Sequence, residues 1–128
     1  MREIKFRGYD KFDKRWVYGY GLHQSIFIDG SSNAYVTADI REVFIVDKES
    51  AGQYTGIKDY KGKEIYEGDI VETTRALNHI VGVVTMIKGC WYIQDGKDSY
   101  YRLIPRFGTA ENKVIGNIYE NKNLLEVK

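Results

Sequence analysis

Residues 53 to 71, QYTGIKDYKGKEIYEGDIV, constrain the fold of this 128-residue chain more than any other stretch. Three polar–glycine steps, Thr55-Gly56, Lys61-Gly62 and Glu67-Gly68, fall within fourteen residues. Gly68 can take a positive φ at little steric cost, and Asp69 can accept hydrogen bonds from nearby backbone amides and so fix a turn. Ile70 and Val71 then open a strand, as β-branched residues favour. A Gly-Asp step followed by a β-branched pair begins the first strand of many small SH3-like barrels. The segment also places Glu64, Glu67, Asp69 and Glu72 within nine residues. Paired carboxylates can do acid–base work. Lys58, Lys61 and Lys63 come just before them, however, and favour solvated charges around a structural turn built on Gly62, Gly68 and Asp69.

The rest of the chain reads as strands. Eleven Tyr, five Phe and two Trp suit a pleated, half-buried surface, and thirteen Gly punctuate it. Ile4 and Phe6 alternate with Lys5 and Arg7. After a polar turn at residues 10–14, Trp16, Tyr18, Tyr20 and Leu22 alternate with Val17, Gly19 and Gly21, so the first two strands predict a hairpin. Gly19 and Gly21 leave one face bare and imply a bend or a close approach by another backbone. Residues 25–28 form a short strand before the Asp29-Gly30 turn, and residues 35–37 return. Residues 43–46 read as strand and 47–53 as a connection. Beyond the central segment come strands at 70–74, 80–88, 90–94, 100–104 and 114–119, with Gly82 a candidate bulge or bend. Asp95-Gly96 marks a hairpin, Pro105 ends the strand before it, and Asn121 is a candidate cap for a last helical turn.

Short strands at this spacing predict an all-β fold. One domain over residues 1–128 is expected, with an N-terminal β-hairpin lobe (about 1–50) packed on a small SH3-type barrel (about 53–119). Trp16, Ile70, Val71, Val83 and Ile118 are expected in the core.

Charge is nearly balanced, with 19 basic and 18 acidic residues, which removes the usual electrostatic footprint of a nucleic-acid binder. The balance is uneven along the chain. Residues 1–22 carry six basic and three acidic groups, a net of +3, and residues 23–60 carry a net of −3. The single cysteine, Cys90, excludes an intrachain disulfide and reads as a buried, inert thiol. His23 and His79 lie far apart and neither has a second ligand at metal-binding spacing. No nucleophile elbow, zinc-protease helix, Walker loop or dinucleotide fingerprint is present. No stretch approaches the roughly 20 apolar residues needed to cross a bilayer. No metal, no cofactor and no enzymatic activity are expected, and the expected location is soluble and intracellular (cytoplasmic).

Two aromatic and basic clusters remain. Lys88, Trp91, Tyr92, Lys97, Tyr100, Tyr101, Arg102 and Arg106 lie on adjacent strands, where stacking aromatics beside cations can hold single strands. Trp16, Tyr18 and Tyr20 with Lys14 and Arg15 form the second. The competing reading is that aromatics at alternating positions are core.

Three blocks carry a family resemblance: REIKFRGYDKFDKRWVYG at the start, QYTGIKDYKGKEIYEGDIV in the middle and VIGNIYENKNLL at the end. Together the collinear blocks resemble the YopX-like family of phage and prophage proteins over essentially the whole chain. Tyr60, where a small polar turn residue is expected, and Lys122, where proline is common, depart from the pattern and affect local turn geometry. The resemblance implies a mostly β fold with an SH3-type barrel and a home in a bacteriophage or prophage. It implies no reaction, and no catalytic residues carry over. The expected role is a non-enzymatic binding module working through a protein partner or through self-association as a homo-oligomer. The alternative is a nucleic-acid-binding small β-barrel.

Overall fold

The computed structural model describes residues 3–39, 42–75, 78–96, 99–105 and 111–126, and the fold is all-β. The chain divides into two compact units, Met1–Tyr54 and Thr55–Lys128.

In the first unit, β1 (Phe6–Asp10) and β2 (Arg15–Gly19) form the expected hairpin, with Phe6 opposite Gly19 and Asp10 opposite Arg15. Asp10 closes the turn, its Oδ1 accepting from the N–H groups of Phe12 (2.9 Å) and Asp13 (3.2 Å). Then β3 (Gly21–Ile26) and β4 (Ser32–Asp39) form a second hairpin across the Asp29-Gly30 turn. The 17-residue β5 (Glu42–Lys58) pairs with β4 through its first half and with β1 beyond it, so the strand order is β2-β1-β5-β4-β3. Residues 47–53, expected as a connection, are therefore strand. Their charged side chains are compatible with it because Lys48 and Glu49 fall where the pairing with β1 is irregular, between Asp47 and Gly52, and are exposed there, while Val46, Ser50, Gly52 and Tyr54 are buried. The pairing of β1 with β5 shifts register between Arg7 and Tyr9, and Ser50 Oγ accepts from the Tyr9 N–H at 2.7 Å beside that irregularity.

The expected strand over residues 16–22 bends at Tyr20, leaving β2 and β3 at opposite ends of the strand order. Gly19 permits this, because a Cβ there would collide with the Thr37 carbonyl, and Tyr20 N–H donates to that same oxygen at 3.0 Å. The core of this unit is small: Val17, Ala34, Val36 and Val46, with half-buried Phe44 packed against it.

In the second unit, the end of β5 pairs with β6 (Glu64–Tyr66), and β7 (Asp69–Arg75), β8 (Asn78–Ile87), β9 (Cys90–Asp95), β10 (Ser99–Arg102) and β11 (Glu111–Asn117) form an antiparallel sheet. Its order is β10-β9-β8-β7-β11, and among the described residues its pairing does not close into the expected SH3-type barrel. Gly82 sits in unbroken register opposite Val71, so it is not a bulge, and a Cβ there would collide with the Gln94 carbonyl. Ile65, Val71, Ile80, Val84, Trp91, Ile93 and Leu103 form the core, with Ile57 packed against them. Fully burying each such side chain is worth about 1.5–3 kcal/mol relative to exposure. Of the expected core residues, Ile70 and Val71 are fully buried, while Trp16, Val83 and Ile118 are only half-buried.

The four-residue α1 (Asn123–Glu126) closes the chain. Asn121 precedes it, but its carboxamide Oδ1 accepts from the Asn117 N–H at 3.1 Å instead of capping the helical turn. Among the described residues, no helix is long and apolar enough to cross a membrane.

Candidate partner surfaces

The central turn is the best-defined polar construction of the second unit. Gly68 has φ +90°, donates its N–H to Val84 O at 2.9 Å and accepts from Ile118 N–H at 2.8 Å, tying β8 and the end of β11 to the start of β7. Asp69 is 1% exposed and its Oδ2 accepts from the Tyr66 N–H at 2.8 Å. Gly62 also has positive φ, at +88°. Asp59, which the sequence did not single out, organises the neighbouring loop. Its Oδ1 accepts from the N–H groups of Lys61 and Lys63, each at 2.9 Å, and its Oδ2 from the N–H of Val114 at 3.2 Å. An Asp two residues before a Lys-Gly step was the available signal.

The carboxylates of this segment do not converge. Glu64 Oε1 accepts from the Tyr66 hydroxyl at 2.9 Å, Asp69 turns inward, and Glu72 Oε2 lies 3.1 Å from His79 Nε2. An open depression of about 340 Å³ is lined by Tyr60, Glu72, Thr74, Glu111 and Lys113, with both signs of charge on it. His23 stacks on Tyr35, with centroids 5.0 Å apart and planes at 14°. Cys90 is half-buried at the start of β9. Among the described residues, no three His, Cys, Asp or Glu side chains gather as metal ligands would.

The β9–β10 surface is split by the pleat. Trp91 and Ile93 point into the core, and Tyr101, opposite Ile93, packs against it. Trp91 is thus removed from the surface on which it was expected, because alternate residues of a strand face opposite ways. Tyr92 and Arg102 are opposite one another on the other face, beside the Gln94–Tyr100 pair, whose side chains meet at 3.4 Å. Lys88 is exposed in the β8–β9 turn with φ +49°. Lys97 and Arg106 lie outside the described residues. The structure therefore brings Tyr92, Tyr100 and Arg102 together, with Lys88 at the turn.

The other aromatic cluster is partly used internally. The Arg7 guanidinium sits 4.6 Å from the Trp16 ring centroid, and Tyr9 meets the same ring edge-on at 5.5 Å. Arg15 stands 5.2 Å from the Phe44 ring. Tyr18 and Tyr20 remain exposed. What the sequence did not single out is how much apolar surface accompanies them: Leu22, Ile26, Phe27 and Ile28 along β3 and its hairpin tip, and Val43 and Ile45 on β5, are all exposed. Their alternation was visible, but alternation does not say which strand lies at an edge. An open depression of about 540 Å³ beside β3 is lined by Leu22, His23, Gln24, Ala34, Lys48, Glu49 and Ala51. At the hairpin tip, Asp29 Oδ1 accepts from the Ser31 hydroxyl (2.6 Å) and the Ser31 N–H (2.9 Å), and these bonds, the hydroxyl first, hold its carboxyl below the usual range.

A family model described as YopX protein matches residues 5–126. The crystal structure of protein EF1440 from Enterococcus faecalis is similar over 98% of this chain and 99% of that one, at 20% identity and a TM-score of 0.46. No curated protein matches the chain.

Proposed function

The chain belongs to the YopX family, and from that premise we propose that it is a non-enzymatic binding module acting through protein contacts or self-association. The setting proposed is a phage or prophage gene product in the cytoplasm of a bacterial host. One observation carries the reading. Large apolar side chains are exposed along a single strand that has no Lys, Arg, Asp or Glu and at the tip of its hairpin, with Ile26 74% and Ile28 109% exposed. Contiguous exposed apolar surface on a folded domain marks a contact site more often than a catalytic one. Against a reaction stand the separate engagements of Glu64, Asp69 and Glu72, which leave no pair poised for acid–base work.

The second reading is a nucleic-acid binder, favoured by Tyr92, Tyr100 and Arg102 on one face of β9–β10. Titration with a labelled oligonucleotide separates the two. The contact module shows no binding at about 50 mM salt, whereas a nucleic-acid binder associates there and weakens steeply as salt rises. Salt-sensitive binding that is lost in Arg102→Ala would overturn the first reading in favour of the second.

A further inference from the structure

The strand order of the first unit ends at β3, so one side of its backbone has no neighbouring strand among the described residues. The ladder with β4 decides which groups face that side. Phe27 N–H donates to Ser31 O at 2.8 Å, continuing the register in which Ile26 is opposite Ser32 and Ser25 opposite Asn33. Hydrogen-bonded and non-bonded pairs alternate along an antiparallel ladder. Ser25 and His23 therefore exchange bonds with β4, while Leu22, Gln24 and Ile26 turn their N–H and C=O groups to the open side.

The side chains of those same residues, extended at both ends, are exposed: Tyr20 67%, Leu22 37%, Ile26 74% and Ile28 109%. They form a pattern symmetric about Gln24, with one apolar residue two positions away on each side and another four positions away. Such a pattern is complementary to its own reverse. In addition, no Lys, Arg, Asp or Glu occurs from Gly19 to Ile28. Exposed edges are ordinarily guarded against pairing by charge, proline or a bulge, and β3 has none of these.

We propose that β3 docks a second copy of this chain edge to edge, antiparallel about a twofold axis at Gln24. The proposal rests on the reading of the protein as a contact module and names its partner. In this register Gln24 meets Gln24 and Leu22 meets Ile26 twice, while Tyr20, in the bend before β3, and Ile28, in the turn after it, flank the seam. All three central residues then place outward-facing backbone groups opposite outward-facing ones. A slip by one residue sets outward groups against groups already bonded to β4. A slip by two shortens the ladder and sets Leu22 against Gln24. Within the chain, Leu22 is opposite Val36 and Val36 opposite Phe44, so an apolar row already runs to this edge and continues into the partner's Ile26. No Lys, Arg, Asp or Glu of β3 itself meets its like across the seam. The contact is small, at or below the roughly 1,200 Å² that marks weak association, so the dimer forms in a concentration-dependent way.

Sedimentation of the full chain between about 10 μM and 1 mM tests this. Wild type is expected to shift from monomer to dimer. Gln24→Pro removes an outward N–H that β4 does not use, a position where an edge strand accepts proline, and weakens the dimer about tenfold or more. Ile26→Lys has the same effect through charge on the seam, and an unchanged melting temperature shows that either variant is folded. Register is read by cysteines in a Cys90→Ser background. Gln24→Cys brings two Cα atoms to about 5.5 Å, within disulfide reach, and cross-links on mild oxidation, whereas Ser25→Cys, opposite His23, does not. A chain monomeric to about 1 mM, folded variants that dimerise as wild type does, or equal cross-linking at 24 and 25 would each overturn the proposal. Those results leave the contact-module reading standing, whereas salt-sensitive oligonucleotide binding refutes that reading by a separate measurement.

Discussion

The two units of the chain spend their apolar residues in opposite ways. The second unit buries seven apolar side chains in one cluster, Trp91 among them, and among the described residues exposes only Tyr60, Met86 and Tyr100 of its large apolar residues. The first unit gathers four small ones, Val17, Ala34, Val36 and Val46, while ten large apolar residues from Ile4 to Ile45 stand exposed. Both are built from antiparallel strands. What differs is whether the alternating apolar face has something to cover it. A covered face yields stability. An uncovered one leaves apolar surface available to another molecule.

The two tryptophans are the sharpest test of this contrast. Trp91→Ala removes a ring that is 8% exposed and should cost about 3–5 kcal/mol in urea unfolding. Trp16→Ala removes a half-buried ring and should cost less, about 1–3 kcal/mol, part of it the lost stacking with Arg7. Equal costs would break the comparison, since they would mean that the first unit depends on its small core as much as the second does on its large one.

Asp59→Ala comes next. It removes the acceptor of three backbone N–H groups and should destabilise the second unit by about 1–3 kcal/mol, measured by thermal unfolding. Asp59→Asn should retain part of the loss, because one amide oxygen still accepts. Ile28→Ser, at the fully exposed tip of the first unit, should change stability by no more than about 0.5 kcal/mol. A large loss there would show that the tip is structural and not a contact surface.

The smallest effect expected is electrostatic. Asp29 has a folded-state pKa below its ordinary value of 3.8, so its ionised form is favoured by folding. Its contribution is present above that ordinary value and fades as pH falls through the depressed one. The Ser31 amide resonance should move over this lower range, and Asp29→Asn should abolish the movement without altering the second unit.

Much of the strand plan was legible. The first hairpin, the Asp29-Gly30 turn, the strands from residue 70 onward and the positive φ of Gly68 follow from period-two patterning and from glycine's freedom at a turn. Residues 47–53 were misread because charge and glycine suggested a loop, whereas a strand tolerates both at outward or bulged positions. The aromatic surface on β9 and β10 was half right. The residues are adjacent, but Trp91 and Tyr101 share the inner face, while Tyr92, Tyr100 and Arg102 share the outer one.

The sequence by itself determined an all-β chain, its turn positions and its family, because these depend on local backbone preference and on the order of short motifs. Tertiary structure decided which strands are edges, that the five-stranded sheet does not close among the described residues, and which side of each alternating strand meets a core. The reason is that period-two alternation defines two faces without labelling either of them. Long-range pairing, such as Phe6 with Gln53 or Val114 with Val71, assigns each face to a neighbour, and Leu22 and Ile26 of β3, with Tyr20 and Ile28 flanking it, are left exposed.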